Sequence, residues 1–216
     1  GSGQFAKLSG TIEPLPAAVR TLLAAFPSIR AASEAVSGII AAGIVPAAME
    51  MMDQACVRAV EASIYAAGYP ADAAAVLLVE VDGSAEATEA EAALVESLLL
   101  RHRATEVRTA TTAAERARLW QGRKKAFGAM GRISPDLAVQ DAVVPRSTLP
   151  DILDRVAAIA AHYRLGVANV FHAGDGNLHP LILFDAGKDD ELQRAEAFGA
   201  DILEACVAAG GTATGE

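Results

Sequence analysis

One stretch near the C-terminal end of the chain predicts a β-hairpin and therefore antiparallel strand pairing. Two apolar, strand-like arms at 167–171 and 181–184 flank a Gly-Asp-Gly-Asn sequence at 174–177. Gly and Asn tolerate the positive φ angles of a tight turn, so these four residues are typical of a hairpin loop. The hairpin would place His172 and His179 opposite each other at its mouth.

Two histidines held in this way have two interpretations. Histidine is the commonest metal ligand among side chains, so the pair could share one metal ion. However, His-x6-His is not a general metal-binding motif, and the two residues could be unrelated members of a hairpin. The spacing alone leaves both interpretations open.

Strand-like and helix-like segments alternate through the rest of the chain. This pattern predicts an α+β fold of duplicated ferredoxin-like units, with a mostly antiparallel sheet and helices packed on one face. No glycine-rich phosphate loop follows the first strand, which disfavours a Rossmann fold. The strands are predicted at 17–26, 46–52, 73–81, 105–109 and 137–144, and the helices at 28–43, 53–68, 85–102, 112–131, 148–162 and 188–209, with Ser28, Asp53, Thr112 and Thr148 as N-caps.

The composition excludes several classes of partner. A formal net charge of -9 disfavours nucleic acids and anionic membranes. The longest apolar run, at 39–52, is too short to span a bilayer and is interrupted by a glycine, a proline and a glutamate. The two cysteines, Cys56 and Cys206, are far apart and lie in predicted helices, which favours buried free thiols and a reducing cytoplasm.

The fourth predicted helix carries a residue whose charge conflicts with its position. At 100° per residue, Leu119, Phe127 and Met130 share one apolar face, and Arg123 lies in the middle of it. A guanidinium there is costly unless it is paired or directed into a cavity. Either Arg123 extends its charged end to the edge of the face, or it clamps a substrate carboxylate, for which its planar geometry is suited. Lys124, on the flank of this face, is a weaker candidate.

Other polar residues also have two interpretations each. Asp141 lies inside an apolar strand and needs a partner, for which a structural ion pair is favoured over a role in the site. Asn177 would either contact substrate or flavin, or form the hairpin turn. Asp175 would either support a histidine or form the same turn. For Trp120, a packing role is favoured over a role as a platform for a cofactor.

Four motifs, in this order, carry a resemblance to a known family. They lie at 119–136, 139–146, 171–180 and 210–216, and include FHAGDGNLHP and GGTATGE. Together they resemble the C-terminal (cap) domain of FAD-linked 2-hydroxy-acid oxidoreductases, the family of the glycolate oxidase flavoprotein and D-lactate dehydrogenase within the vanillyl-alcohol oxidase class. The resemblance implies a duplicated ferredoxin-like cap domain over 11–216, with residues 1–10 as a tag or leader.

The resemblance also implies roles for individual residues. Arg123 matches the arginine that holds the substrate carboxylate in this family. His172 and His179 match two ligands of a divalent metal, often zinc, and Glu216 matches the third. Such a metal would polarise the substrate hydroxyl and lower its pKa. Val139 stands where D-2-hydroxyglutarate dehydrogenases place a lysine near a second carboxylate, which implies a small substrate such as glycolate or lactate.

The same resemblance implies parts that this chain does not contain. The family's proposed base is a histidine that directly follows the residue matched by Glu216, so no catalytic residue is predicted within the chain. FAD, the hydride acceptor, would be bound mainly by a preceding domain. We therefore expect part of a substrate pocket and no turnover by this chain alone. Other oxidase subunits are possible partners, with a cytoplasmic or membrane-peripheral location.

A second class of function competes with this one. Ferredoxin-like domains also serve as small-molecule-binding regulatory modules, and a third role would be pure assembly with other subunits. The regulatory alternative predicts a functional surface away from Arg123 and the two hairpin histidines. The upstream part of the parent reading frame discriminates between the classes, because a flavin domain there favours the enzyme and a DNA-binding or kinase segment favours the regulator.

Overall fold

The computed structural model describes residues 17–215, which form six helices, ten strands and a short 3-10 helix (Arg146–Thr148). The predicted leader at 1–10 and Glu216 lie outside the described residues. The helices are α1 (Ile29–Ala41), α2 (Gln54–Glu61), α3 (Ala85–Arg101), α4 (Ala113–Met130), α5 (Leu149–Tyr163) and α6 (Glu191–Ala208). The strands are β1 (Ala18–Phe26), β2 (Ala48–Asp53), β3 (Ala75–Gly83), β4 (Glu106–Thr109), β5 (Asp136–Val139), β6 (Ala142–Val143), β7 (Gly166–His172), β8 (Asn177–Leu178), β9 (Pro180–Phe184) and β10 (Thr212–Ala213).

The first four strands form a ferredoxin-like unit. Their order in the sheet is β4-β1-β3-β2, and all three pairings are antiparallel. Helices α1 and α3 make the two crossovers of this unit, while α2 occupies the connection between β2 and β3. This is the order expected of a β-α-β-β-α-β repeat.

The second unit repeats that order with two of its strands interrupted. β5 and β6 together form its first strand, β7 its second, β8 and β9 its third, and β10 its fourth. The order β10-β6-β8-β7 matches that of the first unit. The two units are joined by antiparallel pairing of β2 with β7, in which Met51 lies opposite Phe171. The predicted α+β fold with duplicated ferredoxin-like units is confirmed.

Helices cover both faces of this sheet, although the sequence predicted one. Helices α1, α3, α5 and α6 pack on the first face, and α2 and α4 pack on the second. The reason is visible in β3, where Leu77 points to the first face and Val76 and Leu78 to the second. A strand with apolar side chains on both of its faces needs helices packed on both sides of the sheet.

Several predicted boundaries differ for local reasons. The helix that Asp53 caps ends at Glu61, because the Glu61 carboxylate accepts hydrogen bonds from the backbone N–H groups of Ala67 and Tyr69 and holds a turn there. The predicted strand at 137–144 is broken at 140–141. Thr148 does not cap α5 through its side chain, since its hydroxyl donates to the Pro145 carbonyl. No helix in the part of the chain that the structure describes is long and apolar enough to cross a membrane.

A buried glutamate on the second face links the sheet to α4. The Glu80 carboxylate accepts hydrogen bonds from the Thr21 hydroxyl at 2.5 Å, the Trp120 indole at 2.7 Å, and Nε and Nη2 of Arg116 at 2.7 and 2.6 Å. Burial raises the pKa of Glu80, but these hydrogen bonds outweigh burial, and the pKa lies below its ordinary value. The position of α4 over the sheet is therefore tied to the charge of Glu80.

We predict that Glu80→Gln lowers the free energy of unfolding at neutral pH by about 1–2 kcal/mol, because an amide accepts more weakly from Arg116. The lowered folded-state pKa means that this contribution is present above the ordinary value of 4.5 and is lost as the pH falls through the folded-state pKa. Urea unfolding across that acidic range should show the two chains converging. A difference that does not change with pH would contradict the assignment.

The hairpin turn requires a glycine at one position. Gly176 has φ +74°, and a Cβ there would overlap the Val144 carbonyl oxygen. We predict that Gly176→Ala lowers the free energy of unfolding by more than about 1 kcal/mol. Gly128→Ala is the control, because Gly128 lies in α4 with open space around it, and alanine favours a helix there. Thermal denaturation should show a lowered Tm for Gly176→Ala and not for Gly128→Ala. Equal shifts in the Tm of both variants would refute the prediction.

Candidate functional site

Arg123 and Glu50 form a buried ion pair between α4 and the sheet. Glu50 is the third residue of the apolar strand β2 and lies on the second face, below α4. Nε and Nη2 of Arg123 approach Glu50 Oε2 at 2.9 and 2.7 Å, and the side chains are 9% and 10% exposed. The preceding residue, Gly122, lets α4 pack closely against the segment between α2 and β3, since a Cβ there would lie 2.7 Å from the Tyr69 hydroxyl oxygen.

His172 meets the other oxygen of the same carboxylate. It is the last residue of β7 and lies opposite Glu50 in the pairing of β2 with β7, so both side chains occupy the second face. His172 Nδ1 lies 2.6 Å from Glu50 Oε1. The imidazole is 40% exposed, so it lies at the edge of the covered face, where other molecules have access to it.

His179 has a separate carboxylate partner. It lies between β8 and β9, and its Nδ1 is 2.5 Å from Asp141 Oδ1. Asp141 reaches it because the strand is interrupted between β5 and β6. The side chain of His179 is 7% exposed, and the Phe127 ring packs edge-on against it with a centroid distance of 6.2 Å. Asp141 thus has the ionisable partner that its apolar surroundings predicted.

These side chains line one cleft of about 380 Å³. The rings of His172 and His179 are perpendicular, with centroids 5.3 Å apart. The hairpin therefore brings the two histidines together as the sequence predicted, and α4 adds Arg123 to them. The lining consists of Arg123, Phe127, Val139, Asp141, His172 and His179.

Other predicted site residues lie elsewhere. Lys124 is exposed and lines a neighbouring, larger cleft of about 1030 Å³ together with Trp120, whose indole donates to Glu80. Asn177 is buried in the hairpin opposite His172. Asp175 lines a third cleft rather than approaching a histidine side chain. The predicted roles of Lys124 and Asn177 in substrate binding stay predictions.

The sequence analysis missed the carboxylates that hold the two histidines. Asp141 is predicted to have a structural partner but is not assigned to His179, and Glu50 enters only as the charge that interrupts the apolar run at 39–52. A signal was present, because Glu50 stands alone inside the otherwise apolar segment AMEMM, where an unpaired charge is costly. The sequence does not show which residue satisfies that charge.

The two histidines fit a shared metal ion. Imidazoles that ligate one tetrahedral zinc through Nε2, at about 2.1 Å each, have ring centroids about 5 Å apart. Both Nδ1 atoms are occupied by carboxylates, the usual arrangement behind metal-binding histidines. Between residues 17 and 215, no group of three or more His, Cys, Asp or Glu side chains is placed to hold a metal. The third predicted ligand, Glu216, lies outside that range, and the metal stays a prediction.

The sequence model of the FAD linked oxidases, C-terminal domain, matches residues 15–216. The chain belongs to this family. It is 51% identical over 203 residues to the glycolate oxidase subunit GlcD of Escherichia coli strain K12 and 40% identical over 203 residues to that of Bacillus subtilis strain 168, covering 94% of this chain in each case. It spans 40% and 43% of the lengths of these relatives.

The chain is also similar to more distant proteins. The mitochondrial D-lactate dehydrogenase [cytochrome] of Arabidopsis thaliana is 24% identical over 99% of this chain and 38% of its own length. Among solved structures, an alkyldihydroxyacetonephosphate synthase (13% identity, TM-score 0.67) covers 93% of this chain and 41% of its own. A p-cresol methylhydroxylase (12% identity, TM-score 0.67) covers 92% and 45%. These two structures share the fold.

We predict that the chain binds zinc and that His172→Ala or His179→Ala weakens this binding at least tenfold, because each removes one of the two Nε2 ligands. His162→Ala is the matched control, since His162 is exposed on α5 and outside the cleft. Calorimetric titration of the four chains tests this. Unchanged affinity in both cleft variants would show that the histidines are structural.

Proposed function

We propose that this chain is the substrate-binding domain of an FAD-dependent oxidoreductase that converts a small 2-hydroxy acid, of the glycolate or D-lactate type, to a 2-oxo acid. The observation that carries the proposal is the convergence of Arg123, His172 and His179 in one cleft. The names of the relatives support it. Because the chain spans about 40% of the glycolate oxidase relatives, the FAD-binding domain and the activity of the whole protein are part of the proposal.

Within this reaction, Arg123 would hold the substrate carboxylate. Its guanidinium lines the cleft while Nε and Nη2 rest on Glu50, so its orientation is fixed before substrate binds. The two histidines would hold the metal through Nε2 on the opposite side. When bound, the metal lowers the pKa of the substrate hydroxyl and FAD accepts the hydride. The hydroxyl proton would go to a base that we place beyond Glu216.

The charges of the cleft favour a metal and an anionic substrate together. With neutral histidines, the guanidinium of Arg123 is outnumbered by two carboxylates, Glu50 beside Arg123 and Asp141 beside His179, so negative charge is in excess. A carboxylate alone would enter a site of its own sign, which is unfavourable at low dielectric. A divalent cation would offset this excess together with the charge of the predicted ligand Glu216, so a carboxylate would no longer enter a site of its own sign. This argument favours zinc or a similar ion over a metal-free site.

The cleft also favours a substrate with a single carboxylate. Among its lining residues, Arg123 is the one permanent cation, while Phe127 and Val139 are apolar. A second substrate carboxylate would be desolvated against these two side chains without a partner. The uncharged side chain of Val139 is also the sequence feature that predicts glycolate or lactate, rather than a dicarboxylic acid, as the substrate.

A regulatory or assembly module is a weaker candidate. A regulatory module would have its functional surface away from Arg123 and the histidines, but these three residues meet in one cleft. Partner subunits remain part of the proposal, since the GlcD relatives are named as subunits of glycolate oxidase. We also propose a cytoplasmic location, membrane-peripheral through such subunits, which the two free buried cysteines support.

We predict that Arg123→Ala in the full-length flavoprotein raises the KM for glycolate or D-lactate by about 100-fold or more, because a buried charge-assisted contact to the carboxylate is lost. Arg118→Ala is the matched control, since Arg118 lies exposed on the same helix and does not line this cleft. Steady-state kinetics with an artificial electron acceptor measure both. An unchanged KM in Arg123→Ala would remove the carboxylate clamp from the proposal.

A further inference from the structure

Each of the two carboxylate oxygens of Glu50 contacts a different predicted site residue. Oε2 accepts from Arg123, while Oε1 lies 2.6 Å from His172 Nδ1. The carboxylate is 10% exposed, so water does not substitute readily for either partner. It belongs to the first ferredoxin-like unit, whereas His172 belongs to the second and Arg123 to the helix that connects them. Between residues 17 and 215, no other side chain forms an ion pair with both the guanidinium and this imidazole.

The chemistry of these contacts decides where His172 carries its proton. An ionised carboxylate only accepts hydrogen bonds, so the nitrogen that faces it has to donate. In a neutral imidazole with a proton on Nδ1, Nε2 has a free lone pair and is able to bind a metal. In the other tautomer Nε2 carries the proton and that lone pair is lost.

We propose that Glu50 is a positioning residue that selects the Nδ1–H tautomer of His172 and orients Arg123 at the same time. The inference deepens the proposed function, and its consequence for metal binding rests on that function. Glu50 is not among the residues that line the cleft, so it would act on a bound molecule through other side chains. Its effect passes through Nε2 of His172 and through the guanidinium of Arg123, so one carboxylate prepares both sides of the cleft.

Glu50→Gln separates this role from a purely structural one. Glutamine has nearly the same shape, but it presents one oxygen and one NH2 group. Its oxygen has to face Arg123, because a guanidinium only donates. Its NH2 group then faces His172 Nδ1, which has to accept, and the proton moves to Nε2. The substitution should therefore reverse the tautomer while the side chains keep their places.

The test is a nitrogen-15 NMR measurement of the histidine tautomers in the full chain, at about pH 8, where histidines are ordinarily neutral. We expect His172 to be the Nδ1–H tautomer in the wild type and the Nε2–H tautomer in Glu50→Gln. His179, held by Asp141, is the internal reference and should not change. A wild-type His172 with a proton on Nε2, alone or together with Nδ1, would overturn the inference without any variant.

Two further chains control for folding. Glu80→Gln neutralises the matched buried glutamate on the neighbouring strand, which binds Arg116 instead of Arg123, and it should leave the His172 tautomer unchanged. Glu50→Asp keeps an acceptor and should keep the Nδ1–H tautomer. A tautomer that is the same in Glu50→Gln and the wild type, or that changes equally in Glu80→Gln, would refute a positioning role.

Zinc titration of the same chains separates this inference from the proposed function. We expect Glu50→Gln to weaken zinc binding by about 10–100-fold and Glu80→Gln to leave it unchanged. If the wild type binds no zinc but its tautomer reverses in Glu50→Gln, the metal part of the proposed function fails and the role of Glu50 in setting the tautomer stands. If zinc binds equally well to the wild type and to Glu50→Gln, the metal site stands and the inferred effect of Glu50 on metal binding fails.

Discussion

The pairing of β2 with β7 is the interaction on which the rest of the structure depends. It joins the two ferredoxin-like units through three residue pairs. On the first face, Met51 and Phe171 are fully packed in the core, and on the second face Glu50 meets His172. Because side chains alternate between faces, a slip of β7 by one residue would turn His172 toward the apolar core on the first face and separate it from Glu50. The register that builds the core therefore also builds the site.

A second buried carboxylate fixes the same junction near its other end. Asp53, the last residue of β2, accepts hydrogen bonds from the backbone and side-chain N–H groups of Asn169 in β7. Burial raises the pKa of Asp53, against these hydrogen bonds and the one from the Cys56 backbone, which lower it. The junction thus carries a carboxylate on each side of its apolar centre, and each spans the two units.

The sequence predicted those parts of the fold that depend on local patterns. The glycine-rich turn predicted the hairpin, the cap residues predicted four helix starts to within a few residues, and the apolar face around Arg123 predicted a charge in need of a partner. What it did not predict depends on contacts between distant residues. Glu50 and His172 are separated by 122 positions, and nothing in either neighbourhood specifies that they meet. The second covered face, by contrast, did have a local signal, because consecutive apolar residues of β3 point to opposite faces of the sheet.

The Glu50–Arg123 pair is better explained by function than by stability. Removing two charges from water costs several kcal/mol per ion, and their mutual attraction repays this only with good geometry and further hydrogen bonds. Strand β2 already carries methionines on both sides of Glu50, so an apolar residue there, facing an apolar residue at position 123, would fold at least as well. Such a replacement would leave His172 without an acceptor and the cleft without a cation. The buried pair is costly for folding but supplies the charges that the proposed site would require.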